Sequence, residues 1–125
     1  MPSGPPASPP EPGSYPRPLT DRERQVLALL ADGLPEGHPA RAEVPSAEAV
    51  RPCGCGTCPS IELSPAEGVE DDASRLVVSA DHPDALLLLF VDGGHLSYLE
   101  AAPWHEGRAV RQFPPPEEIS GVELG

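Results

Sequence analysis

All three cysteines of this 125-residue chain fall in one short stretch, Cys53-Gly-Cys55-Gly-Thr-Cys58. Thiolates at this spacing on a glycine-rich turn can converge on one soft cation, because glycine lets the backbone curl around it. A tetrahedral zinc site needs a fourth ligand, and His82, His95 and His105 are the candidates, together with His38. Structural zinc sites usually pair two such knuckles, and only one half is present here. Cys55 and Cys58 also have oxidoreductase spacing. However, Pro59 comes directly after them, and no amphipathic helix starts there to lower a thiol pKa. The third reading is a tight turn with the cysteines as small buried residues. That reading asks for least, because the ligand set is incomplete; zinc or another soft metal is the alternative.

Other chemical patterns are thinner. His82-Pro83-Asp84 matches half of a non-haem iron triad, but those sites sit in many-stranded barrels, and the segment reads better as a turn. Ser79, His82 and Asp84 lack the glycine-flanked nucleophile turn of a hydrolase. No phosphate loop or dinucleotide fingerprint occurs. No catalytic residue is assigned, and the chain reads as a non-enzyme. Trp104, the single tryptophan, falls just past a strand end. Exposed, it would mark a recognition surface with Tyr98 and His95; buried, it would close the core, which the average burial of tryptophan predicts.

Local patterns define the elements that would position these residues. Thr20-Asp21-Arg22-Glu23 fits a capping box, and Val26, Leu27, Leu29, Leu30 and Ala31 make an apolar stripe, so a helix is predicted over 20–32 with Gly33 as its stop. Pro35, Pro39 and Pro45 interrupt the next segment, leaving at most a short helix over 40–44 and a turn or strand start over 46–50. Residues 60–64 alternate as a half-buried strand, and 65–75 read as an acidic surface loop. Ala85 to Val91 is a strand, Asp92-Gly93-Gly94-His95 a hairpin turn, and Leu96 to Ala102 the returning strand. Val110 and Phe113 suggest a last strand ended by Pro114.

The strand 85–91 is apolar on both faces, with Leu87, Leu89 and Val91 on one side and Leu86, Leu88 and Phe90 on the other. Such a strand belongs at a sheet centre with both sides covered. One helix covers one side, so the segment around 35–50, the C-terminal chain or a second subunit must meet the other. The predicted fold is α+β, one capped helix on a mainly antiparallel sheet of about three to five strands. Residues 1–18, with eight prolines, read as a disordered tail; 19–113 as the single domain; 114–125 as a frayed acidic terminus.

Charge narrows the partners. Eight arginines, no lysine and 20 acids give a formal net charge of -12, which disfavours nucleic acid and anionic membrane surfaces. No export signal is visible, and the most hydrophobic run, Leu86 to Val91, is far short of the roughly 20 residues of a membrane span. The expected setting is the cytoplasm, with reduced thiols. Absence of lysine and asparagine beside abundant Ala, Gly, Pro and Arg suggests a GC-rich coding sequence. On Leu19 to Leu30, the Arg51-Pro-Cys-Gly-Cys-Gly segment with Cys-Pro-Ser-Ile after it, and the Leu96-Ser-Tyr-Leu-Glu hairpin end, the chain resembles a group of small proteins from GC-rich bacteria. The group has no assigned activity, so the resemblance implies a small α+β domain and carries over no site residue. The function expected is an acidic, non-catalytic protein-interaction module, with a basic protein or a second copy as partner.

Overall fold

The computed structural model describes residues 15–52, 59–63, 75–104 and 112–124. A short strand β1 (Arg17–Pro18) leads into helix α1 (Asp21–Ala31), then a 3-10 helix (Pro39–Ser46) and strand β2 (Glu48–Pro52). β3 (Ile61–Leu63), β4 (Arg75–Asp81), β5 (Ala85–Asp92), β6 (His95–Pro103) and β7 (Ser120–Leu124) complete one sheet.

The helix starts where its cap dictates. The Thr20 hydroxyl accepts from the Glu23 amide at 3.1 Å, and the Thr20 amide donates to Glu23 Oε1 at 2.8 Å. These bonds satisfy a backbone donor that the first turn would otherwise leave open, worth about 1 kcal/mol. Val26, Leu27 and Leu30 then point inward and are fully buried. Gly33 does not stop the helix by a left-handed torsion, since its φ is not positive. A Cβ there would lie 2.9 Å from Cγ1 of both Val78 and Val122, so glycine is needed for close approach to β4 and β7. Gly93 and Gly94 do take positive φ, 60° and 86°, and turn the β5–β6 hairpin as predicted.

The sheet is antiparallel throughout, in the order β1-β2-β3-β6-β5-β4-β7. The fold is α+β, but the seven strands among the described residues exceed the predicted three to five, and β6 rather than β5 stands at their middle. The additional strands came from segments without an alternation signal. Arg17–Pro18, inside the predicted tail, pairs with β2, whose Ala49 lies opposite Arg17. Ser120–Leu124, predicted to fray, pairs with β4, with Leu124 opposite Val78 and Glu123 opposite Ser79. Pairing onto a sheet edge is a backbone transaction, and buried Ile119 with half-buried Val122 supplies enough apolar anchoring. Phe113 is buried without forming a strand; its carbonyl accepts from Arg22 Nη1 at 3.0 Å. Val110 lies outside the described residues.

The core lies on one side of the sheet. Ala85, Leu87, Leu89 and Val91 of β5 are fully buried with Val78, Leu96, Leu99 and Leu63, beneath α1 and the 3-10 helix. Leu86, Leu88 and Phe90, on the other side, are only half-buried, and no described helix packs over them. The sequence predicts cover for both faces of β5. Among the described residues it has cover on one.

Candidate functional site

Register assembles the open face from three strands. Val77, Ser79 and Asp81 of β4 stand opposite Phe90, Leu88 and Leu86 of β5. These stand in turn opposite Tyr98, Glu100 and Ala102 of β6. Side chains two apart in a strand share a face, so Val77, Leu86, Leu88, Phe90, Tyr98 and Ala102 form one apolar patch. The Phe90 and Tyr98 rings are 6.0 Å apart and tilted by 47°, a favourable arrangement for an aromatic pair across a ladder. Arg75 lays its guanidinium over the Phe90 ring at 5.0 Å and forks onto Asp92 at 2.6 and 3.1 Å. Hydrogen bonding from Arg75 holds the Asp92 carboxyl below the usual range, against a smaller opposing effect of burial.

Trp104 ends this patch. Its amide donates to the Asp84 carbonyl at 3.1 Å, continuing the β5–β6 ladder one residue past β6. Its indole N–H donates to the His82 carbonyl at 2.8 Å, yet the side chain is 51 % exposed. One edge of the ring is therefore fixed while much of its surface meets solvent. Trp104 is thus exposed, where average tryptophan burial predicts a buried ring.

The charges on this face are unequal. Glu62, opposite Tyr98, is paired with Arg51 at 3.6 Å, and Arg75 is committed to Asp92. Glu100, half-buried between Tyr98 and Ala102 on β6, has no basic partner among the described residues, and neither has Glu123 opposite Ser79. The residue missed from sequence is Glu100. Its position is readable only once the β5–β6 register sets it beside Leu88 at the centre of the patch.

The described histidines His82 and His95 serve the scaffold. His82 Nδ1 accepts from the Asp84 amide at 3.0 Å, so Nε2 carries the proton and donates to Glu118 Oε1 at 3.0 Å. The turn predicted at 81–84 is thus held by the histidine itself. His95 Nδ1 faces Glu43 Oε2 at 2.6 Å, and the other oxygen of Glu43 accepts from the Leu96 amide at 2.9 Å, which joins the hairpin to the 3-10 helix. The structure therefore brings Tyr98 and Trp104 to the open face and gives His95 to a different contact.

Cys53, Cys55, Cys58 and His105 lie outside the described residues. Among the described residues, no three of His, Cys, Asp and Glu gather where they can hold an ion. Position still separates the histidines. Ile61 stands opposite Leu99, and Ser60 Oγ accepts from the Ala101 amide at 3.0 Å, so the chain before β3 runs toward the Trp104 end of the sheet. His82 is at that end but has both ring nitrogens engaged. His95 is at the other end of the eight-residue β5, about 25 Å away at roughly 3.4 Å per residue. His82 and His95 cannot serve one ion together. Comparisons of the chain with protein-family models, curated proteins and solved structures found no match.

Proposed function

We propose that the chain is a non-catalytic protein-interaction module whose open β4–β5–β6 face receives a basic, apolar segment of another protein. The observation that carries this is the half-buried apolar patch that ends on exposed Trp104 and holds at its centre the carboxylate of Glu100, without a basic partner among the described residues. An apolar helix face with one Lys or Arg among its anchors would bury Leu86, Leu88 and Phe90 and pair with Glu100. Tryptophan at the patch edge suits an anchor, because large amphipathic rings dominate interface energetics. The formal net charge of -12 would steer such a segment inward, so association should weaken as salt rises. A second copy fits less well, since apposed faces would bring two sets of acids together.

The test uses the single tryptophan as reporter. An amphipathic peptide of about 18 leucine and lysine residues, five helical turns, is titrated into the full chain at low and high salt. Saturable quenching or a blue shift of Trp104 emission at low salt, weaker at high salt and missing with a glutamate-for-lysine peptide, supports the reading. Emission unchanged by the lysine peptide, or affinity indifferent to salt, overturns it. A concentration-dependent dimer that silences the same response would assign the face to a second copy instead.

A second reading rests on position. Pro59 leads into β3 at the Trp104 end of the sheet, and His105 is next to Trp104 in the chain, so Cys53, Cys55, Cys58 and His105 are the set proposed for zinc. Because metal binding free energy is folding free energy, Cys58→Ser would lower both zinc content and melting temperature. Zinc content below one equivalent in protein purified without chelator would remove this reading. A cytoplasmic setting, where thiols stay reduced, suits both readings.

A further inference from the structure

A cavity of about 390 Å3 opens between the start of α1, the ends of β2 and β3, and Phe113. Its walls are mixed. Ile61, Phe113 and the rings of Pro52 and Pro59 give an apolar side, and Arg17, Arg22 and Glu23 give a charged one.

The charges there are not equivalent. Arg17 spends its fork on Glu23, at 2.8 and 2.9 Å, and stacks at 5.1 Å on the Tyr15 ring. Glu23 is further occupied by the Thr20 amide, so the start of the helix is already capped from within and offers no anion site of its own. Arg22 differs. It gives Nη1 to the neutral Phe113 carbonyl and has no acidic partner among the described residues. With Arg17 and Glu23 cancelling, the described residues that line the cavity carry one positive charge without an acidic partner among them, in a chain of formal net charge -12.

We propose that this cavity is a binding site for a small organic acid, its single carboxylate on Arg22 and its apolar body against Ile61 and Phe113. The volume lies at the small end of the range for ligand pockets, which suits a small organic anion. One guanidinium without an acidic partner among the described residues matches one anionic group, and its remaining N–H donors suit a carboxylate. The site is separate from the open sheet face, so it stands or falls independently of the proposed function.

Benzoate and hexanoate are suitable probes, with benzamide and hexanamide as uncharged matches. They are titrated into the isotope-labelled full chain while backbone amide signals are followed. Saturable shifts at Arg22, Ile61 and Phe113 are expected with the acids, with Kd on the order of 1 mM, and not with the amides. Arg22→Gln should weaken binding about tenfold or more through loss of a charge-assisted bond. Gln112→Glu is the second variant: Gln112 is exposed and lines the cavity, so the change adds a competing carboxylate without touching the core. It should abolish the shifts in a protein that still folds. Amides that bind as well as acids, a Gln112→Glu protein that binds benzoate unchanged, or no shifts at these three residues would overturn the proposal.

Discussion

The Trp104 indole nitrogen donates to the His82 carbonyl at 2.8 Å, which ties the residue after β6 to the turn between β4 and β5. His82 holds that same turn from within, through the Asp84 amide. A side chain 51 % exposed is thereby kept in one orientation by the ladder of three strands. Such a side chain is pre-organised for contact, because its rotamer entropy is lost before a partner arrives. Trp104→Phe keeps an apolar ring and removes the N–H; folding stability should fall by about 1 kcal/mol. Trp104→Ala should also weaken binding of the basic peptide by about 2 kcal/mol or more, as for an interface anchor. Urea unfolding beside peptide titration checks both.

Adjacent leucines of β5 provide a sharper comparison. Leu87 is fully buried under α1, while Leu88 faces the other way and is half-buried. Leu87→Ala should cost about 2–5 kcal/mol through lost burial and the cavity left behind. Leu88→Ala should cost less, about 1–2 kcal/mol, because its side chain is only partly buried in the folded chain. Equal costs in urea unfolding would mean that the second face is covered within the chain.

Acid should loosen the junction between β1 and α1. Glu23 is 7 % exposed. Burial pushes its carboxyl upward, but the hydrogen bonds from Arg17 and Thr20 outweigh that and leave it below the ordinary value of 4.5. The folded chain therefore holds the ionised form more tightly than the unfolded chain does. That stability is fully present above about pH 4.5 and is lost as pH falls through the lower folded value. Melting temperature should drop over this window, and Glu23→Gln should lower it at neutral pH while flattening the acid dependence. A variant with the same acid slope as the parent would place the titration elsewhere.

Gly33→Ala has a definite sign. At an unconstrained position, replacing glycine by alanine stabilises by about 0.4–1 kcal/mol through the unfolded state. Here the added methyl would lie 2.9 Å from Val78 and Val122, so overpacking should cost about 1–3 kcal/mol instead. A raised melting temperature would show that β7 does not pack against this residue.

Legibility in the sequence tracked the strength of local signals. Helix α1 was readable because its cap and apolar stripe agree, and the β5–β6 hairpin because two glycines interrupt two alternating runs. The two-faced character of β5 was readable too, and it locates the candidate surface. Its consequence was not, because cover is a tertiary property that no single strand encodes. β3 was readable from the alternation of Ile61 and Leu63, whereas β1 and β7, two and five residues long, carry no such signal and their pairing is decided by the edges available to them. Glu100 and Arg75 became part of the surface only through register, which placed Glu100 beside Leu88 and Arg75 over Phe90.

The most direct test of the open face as a docking surface is residue-level mapping of the bound peptide. The isotope-labelled full chain is titrated with the leucine–lysine peptide, and backbone amide shifts are followed. Shifts concentrated on Val77, Leu86, Leu88, Phe90, Tyr98, Glu100 and Trp104, and reduced about tenfold in affinity by Glu100→Gln through the lost charge pair, are the predicted result. Shifts spread over the acidic surface with these residues unmoved, or no response to Glu100→Gln, would contradict it.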